Sequence, residues 1–405
     1  MNTEFALAWR NLWRRAKRTW ITIAAIVFCN AILVFGISVQ MGAYDGMIDT
    51  TLKVFGGHIQ LSKVGYNDDP SLRETIPNGR NLAQSLRNNY PKLLVTTRSE
   101  SFVLAATETR SAGVQIVGVE PSSESEFSSV GSVLAEDNLA IASDEAVLGS
   151  LLSRHLGVSK GDEFSFVGTA KDGSFAAGML NSKARFESGS DELDRAMVLI
   201  HIEDFDRAFA MAGDVHQIMV QVPHLDDANV YRDRIEGWLA NSDIEVLSWQ
   251  QLNPGLQEAI QADLTSAMVM YGILIALVIF SVLNTQLMSV LERTHEFGIM
   301  KSIGLSNWRL AKLIFIETAM LAAIGLIFGV LLGAALASVL AYTGLAIPGM
   351  DEANYSFQIP DRLYPLINFN TLLIGPTVVF FGSLLAAIYP ARKLQRLQPI
   401  EAMRS

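Results

Sequence analysis

Apolar and polar positions along this chain follow two different length scales. Four stretches, Trp20–Met41, Thr265–Val290, Leu313–Tyr342 and Thr371–Tyr389, are almost continuously apolar. Each approaches or exceeds the roughly 20 residues that a helix needs to cross a ~30 Å hydrocarbon layer. Helices are predicted there because lipid offers backbone groups no hydrogen-bond partner. The third stretch is long enough to tilt or to project from the bilayer. Shorter periods flank the first two spans. Phe5, Trp9 and Leu12 recur at helical spacing, so Asn2–Trp20 reads as one short interfacial helix with basic residues on its other side. Beyond the first span, Met41, Tyr44, Ile48, Leu52 and Phe55 keep a 3–4 residue spacing until Gly56-Gly57 stops it. Before the second span, Leu252, Leu256, Ile260 and Leu264 repeat every four residues. Side by side, these two segments make a rigid stalk; two ordinary helices in a domain base are the plainer alternative.

The region between them is mixed. Leu93–Thr97, Val114–Val119, Glu163–Val167, Met197–Ile202 and Ile218–Val222 read as strands. Arg80–Asn89, Asp144–Leu156, Glu203–Met211 and Asp226–Leu239 read as helices, with Asp144 and Asp226 as N-caps. Ser122–Ser132 and Lys171–Ser190, rich in small and charged residues, read as loops. The expectation is a membrane protein with four transmembrane α-helices and a large α+β extracytoplasmic domain, of one or two lobes, inserted between the first and second spans. The divisions are 1–19, an interfacial helix; 20–42, the first span; 43–263, the external domain with its stalk; and 264–405, three spans with a charged loop and a basic tail.

Charge orients this plan. Arg10, Arg14, Arg15, Lys17 and Arg18 precede the first span. Arg293, Lys301, Arg309 and Lys312 lie between the second and third, and Arg392, Lys393, Arg396 and Arg404 follow the fourth. All three groups fall on one side of a four-span topology, which predicts that both termini are cytoplasmic. The insert 43–263 carries 17 Lys+Arg and 33 Asp+Glu, so the net charge of −10 for the whole chain hides basic segments inside and an acidic domain outside. This distribution does not support nucleic-acid binding. The first apolar run exceeds a signal-peptide core and no A-x-A site follows it, so it reads as an uncleaved anchor. Cys29 is the single cysteine, which excludes an intrachain disulfide and a cysteine-rich metal site.

Candidate chemistry is sparse. No G-x-x-x-x-G-K-[ST], H-E-x-x-H or G-x-S-x-G occurs, and the six histidines lack ligand spacing. The chain reads as non-catalytic, without a cofactor or metal of its own, and an energy-driven role requires a separate ATPase. Glu317, early in the third span, is either a proton site or an acid neutralised by nearby Arg309 and Lys312; its early helical position favours the second reading. Gly325, Gly329 and Gly333, continued by Ala337 and Ala341, make a small-residue face that signals close helix packing rather than a pore lining. Asn284, Thr285, Gln286 and Ser289 are expected to face the bundle or the interface rather than lipid. The loop Leu291–Ala311 is the leading functional candidate. Glu292, Arg293, Glu296 and Lys301 supply charge, Phe297, Met300, Ile303 and Trp308 an apolar surface, and Gly298 and Gly304 permit bends. An interfacial helix lying on lipid, anchored by Trp308, is the competing reading.

Several of these segments resemble the FtsX/MacB-type ABC transporter permeases, and in particular their lipoprotein-releasing LolC/LolE branch. They are Ala8-Trp-Arg-Asn-Leu-Trp-Arg-Arg15, Leu148–Asp162, Glu292-Arg-Thr-His-Glu-Phe-Gly-Ile-Met-Lys-Ser-Ile-Gly304 and Pro390–Arg404. The resemblance extends over nearly the full length. It implies a permease dimer, with a second copy or a paralogue, bound to two ABC ATPase subunits that carry the ATP and Mg. It implies that Leu291–Gly304 holds the coupling helix, with Glu292, Arg293, Glu296, Phe297, Gly298, Met300, Lys301 and Gly304 at the ATPase. It also implies mechanotransmission, in which closure of the ATPase moves an external domain acting on lipoproteins or other amphiphiles. An alternative is MacB-like efflux with an adaptor and outer-membrane duct; another is FtsX-like control of a cell-wall hydrolase. One departure stands out. LolC-like members recruit a periplasmic lipoprotein carrier through a proline-containing hook, but no proline lies between Pro121 and Pro223, and Gly168–Gly189 lacks that feature.

Overall fold

The computed structural model describes residues 3–132, 143–239, 242–345 and 362–395. The described residues separate into two compact units, one built from 3–46, 259–345 and 362–395, the other from Met47–Glu258.

The first unit is a helical bundle. Helix α1 (Thr3–Trp13) is followed by a two-residue turn at Arg14-Arg15 and then by α2 (Ala16–Val54). The single helix expected over Asn2–Trp20 is therefore two, and the second continues without a break through the first span. The other bundle helices are α11 (Pro254–Glu292), α12 (Thr294–Ser302), α13 (Asn307–Thr343), α14 (Phe369–Ala386) and α15 (Ile388–Gln395). Among the described residues, four helices are long and apolar enough to cross a membrane: α2, α11, α13 and the run Phe369–Leu394. Asn368 caps α14 by accepting from the Thr371 amide at 2.8 Å. The fourfold repeat before the second span loses its first member. Leu252 closes α10 (Trp249–Leu252), and α11 begins after Asn253 with Pro254, whose fixed φ suits a first helical turn.

Glycine sets the spacing inside the bundle. A Cβ on Gly325 would lie 2.3 Å from Ile26 Cγ2, one on Gly329 2.4 Å from Asn30 Cβ, and one on Gly333 2.7 Å from Val34 Cβ. One face of α13 thus lies directly on α2, closer than any side chain permits. At the far end of the bundle, Gln40 donates to Asp263 at 3.0 Å, the Tyr44 hydroxyl donates to the same carboxylate, and Tyr271 donates to Gln40 at 3.0 Å. These bonds join α2 to α11.

Among the described residues, the second unit is built on one nine-stranded sheet. Its strands are β1 (Ile59–Lys63), β2 (Leu94–Ala106), β3 (Ser111–Val119), β4 (Glu145–Gly149), β5 (Glu163–Thr169), β6 (Phe175–Phe186), β7 (Met197–His201), β8 (Gln217–Gln221) and β9 (Ile244–Ser248). The order β3-β7-β4-β6-β5-β2 returns to β3, so six strands close on themselves around Val103, Ile116, Leu148, Phe164, Phe166 and Val198. The order β2-β8-β1-β9, with α3 (Gly79–Asn89) and α9 (Ala228–Trp238) as crossovers, is a split βαβ sheet. Of the remaining helices, α4 (Pro121–Phe127), α5 (Ser129–Ser132), α6 (Ser150–Leu156), α7 (Asp191–Ala196) and α8 (Ile202–Phe209), α6 and α8 put Leu152, Leu156, Phe205 and Phe209 into the core around Val103 and Ile116.

Several local expectations change. Glu145–Gly149 is a strand, not the start of a helix, because Ala146, Val147 and Leu148 are buried on both faces between β6 and β7. Asp144 has φ +67° and caps nothing, and Asp226 sits in a 3-10 turn (Leu225–Asp227) ahead of α9. Ser122–Ser132 is helical: Pro121 starts α4, and Glu124, fully buried, receives the Arg98 guanidinium at 2.5 Å together with Thr96 and Ser128. Lys171–Ser190 holds the 12-residue strand β6, paired with β5 and β4, and Lys171 bonds Thr75 at 2.8 Å and also Asp214. Gly168–Gly189 is accordingly strand and hairpin rather than a loop.

Candidate functional site

The charges of the bundle collect at one end, where two helix breaks come together. One is the Arg14-Arg15 turn between α1 and α2; the other is Arg293, which has non-helical angles and separates α11 from α12. Apolar packing places them. Ala8 and Leu12 of α1 join Val290, Phe297, Leu310, Ile314 and Ala391 in one buried cluster. Phe297 is 2% exposed, so α12 is held to the bundle by its aromatic side chain.

Ion pairs then connect the breaks. Arg14 reaches Glu296 at 2.5 Å, while Arg15 and Arg18 both reach Glu292 at 2.7 Å. Arg293 bonds Glu296 at 3.3 Å and Glu317 at 3.1 Å, and its guanidinium lies 5.0 Å from the Phe297 ring centre. Asn11 donates to Glu317 at 2.9 Å. Glu317 is buried, and Arg293 and Asn11 satisfy it; Arg293 is a cation that proximity along the sequence did not single out. Burial pushes the Glu296 carboxyl up, but the bonds and charges of Arg14 and Arg293 outweigh it and hold it below the ordinary glutamate value. A polar cavity of about 110 Å³ lies among these groups, lined also by Thr285, Gln286 and Ser289. Thr285 shares a hydrogen bond with Thr22 at 3.0 Å and Gln286 is buried, whereas Asn284 is exposed.

The eight loop residues singled out by sequence divide by direction. Arg293, Glu296, Phe297 and Gly298 face the bundle, and Glu292 reaches back to α1 and α2. Met300 is half-buried, and Lys301 donates to the Leu394 carbonyl at 3.1 Å, with burial lowering the basicity of its amine. Gly304 is exposed at φ +97°, a left-handed position that ends the helix and favours glycine. The outward apolar surface belongs to other residues. Ile303 is 75% exposed and Trp308 72%, with Ile299 and Leu305 beside them. Sequence spacing held the signal, since Ile299 and Ile303 are one helical turn apart. Missing from the sequence reading were Asn11, Arg14, Arg15 and Arg18 as members of this site, because their partners lie more than 260 residues away. No group of three or more His, Cys, Asp or Glu side chains placed to hold a metal occurs among the described residues. Arg396 and Arg404, with the end of the Pro390–Arg404 segment, lie outside the described residues.

Comparison with known proteins covers the same region. Residues 268–399 match the family model described as FtsX-like permease C-terminal. The chain is 26% identical over 310 residues to the lipoprotein-releasing system transmembrane protein LolC of Xylella fastidiosa, covering 71% of this chain and 72% of that one. It is 24% identical over 428 residues to the corresponding LolE protein of Haemophilus influenzae, covering both chains completely. Among solved structures, the periplasmic region of MacB from Actinobacillus actinomycetemcomitans aligns with 52% of this chain and 97% of its own at 11% identity, with a TM-score of 0.35.

Proposed function

We propose that this chain, an ABC-transporter permease of the LolC/LolE type with an FtsX-like domain at residues 268–399, is the force-transmitting membrane subunit of a lipoprotein- or amphiphile-releasing system. The observation that carries this reading is the apolar ridge Ile299, Ile303, Leu305 and Trp308, exposed on a segment whose other side is anchored in the bundle. A patch of this kind beside basic groups marks a docking surface. The basic end is cytoplasmic by the positive-inside rule, so the ridge is offered to a soluble partner there. That partner is an ABC ATPase dimer, which holds the ATP and Mg. Helices α2 and α11 run 39 residues each without interruption, a stiffness suited to carrying displacement toward the inserted domain. Little of α11 is buried, 11% of its apolar window against 50% for α2, which favours a second permease copy or paralogue along α11. With few charges in the spans and a large inserted domain, the cargo is handled outside the membrane rather than carried through it.

The test is co-purification of the ATPase with the permease in mild detergent, followed by hydrolysis in reconstituted membranes. Ile303→Asp should cost at least about 2 kcal/mol of docking, roughly 30-fold in affinity. Undiminished association and stimulated hydrolysis would refute docking at the ridge. Co-purification of an adaptor or a cell-wall hydrolase in place of a lipoprotein would redirect the reading to efflux or signalling.

A further inference from the structure

We propose that the ion pairs joining Arg14, Arg15 and Arg18 to Glu292 and Glu296 form a clamp that makes two helix breaks move as one, with Arg293–Glu317 as its buried pin. This rests on the docking role of the ridge given above, and it assigns a separate task to the charges beside that ridge.

Direction is the first argument. Glu292 and Glu296 direct their carboxylates at α1 and α2, within 2.5–2.7 Å of three arginines, so their charge is committed inside the subunit. Position is the second. Arg14 and Arg15 occupy the turn where α1 ends and α2 is about to begin, and Arg18 sits in the first turn of α2. Glu292 is the last residue of α11, Arg293 the break, and Glu296 lies in the first turn of α12. The bonds therefore run from hinge to hinge. A push on α12 reaches α11 through the chain, and these bonds carry it to the foot of α2 beside the apolar cluster that Phe297 shares with Ile23. Depth is the third. Exposed pairs yield by exchanging partners, whereas Arg293–Glu317, 12% and 6% exposed in its side chains, is costly to separate. Beside the exchangeable pairs, the polar cavity of about 110 Å³ leaves room for the carboxylates to swing between arginines while the pin stays closed. The clamp thus delivers the motion of α12 to the foot of α2 and, through Glu317, to α13.

The experiment uses the complete permease–ATPase complex in lipid vesicles, measuring ATPase co-purification, ATP hydrolysis and cargo release per ATP. The variant Arg15→Glu/Arg18→Glu should keep the ATPase bound and hydrolysing but lower release per ATP by about tenfold, within the range seen for contacting charges. Adding Glu292→Arg to that variant should restore release to within about twofold of wild type. Should the double reversal misassemble, the neutral Arg15→Gln/Arg18→Gln gives the milder loss, read in the same way. Unchanged release in the variants, loss of ATPase binding in place of uncoupling, or no rescue by Glu292→Arg would each overturn the clamp. Failure of the wild-type chain to bind any ATPase would overturn the docking role as well, and is told apart because it precedes any substitution.

Discussion

The middle of the bundle and its basic end are held together in opposite ways. In the middle, Gly325, Gly329 and Gly333 lie against Ile26, Asn30 and Val34 at distances that no Cβ could occupy. That contact is steric, short-ranged and indifferent to salt. At the basic end, the turn after α1 and the helices α2, α11 and α12 meet through carboxylates and guanidinium groups, most of them partly in water. Such contacts are directional yet exchangeable, and each exposed pair contributes little on its own. On the proposed clamp, the region that stays fixed is built from close packing, and the region that shifts is built from charge. The buried Arg293–Glu317 pair lies between these extremes.

Three changes put this contrast to work. The largest effect belongs to Gly329→Leu, which forces α13 away from α2 and should cost about 4 kcal/mol or more, seen as lost monodispersity and a lower unfolding temperature in detergent. A normal transition would mean that the glycine face does not set the helix spacing. Next is Glu317→Ala, which leaves Arg293 charged and partnered only by Glu296; the expected loss is about 3 kcal/mol, measured by thermal unfolding of the purified chain. A loss below about 0.5 kcal/mol, that of an exposed pair, would place the pin in the same class as the surface clamp. The smallest effect concerns Glu296. Its folded pKa is held below the ordinary value, so the stability it adds is present above the unfolded value of 4.5 and is lost as pH falls through the lower folded one. With its own side chain 34% exposed and that of Arg14 64%, the contribution is about 0.5 kcal/mol, and molar salt at neutral pH should remove a similar amount. Gly329→Leu should show neither dependence.

Which parts of this were legible beforehand follows from the range of the forces. The spans could be read because apolar length is matched to a bilayer, a property local to about 20 residues. The glycine ladder could be read because fourfold spacing fixes a face on any helix. Strand β6 was not legible: its twelve residues include no Val, Ile, Thr or Tyr, and pairing with β4 and β5 imposes the extended form. Strand β4 was taken for helix because a short apolar run looks the same in either state. Helix α4 was hidden because its Glu124, polar in the sequence, is buried by pairing with Arg98, 26 residues earlier.

By itself, then, the sequence determined four membrane-length helices, their basic ends, the inserted α+β segment, and a chain without G-x-x-x-x-G-K-[ST], H-E-x-x-H or G-x-S-x-G. Those are properties of composition and short period, which no tertiary contact can change. The tertiary structure alone decided which way the charges of the 291–311 segment point. Glu292 and Glu296 could have faced a partner or the N-terminal helices with equal local cost, since a carboxylate beside a helix break has no preferred direction until a guanidinium is brought to it. Packing of α1 and α12 into one buried cluster, through Ala8, Leu12 and Phe297, brings those guanidinium groups within reach and leaves the apolar ridge outside.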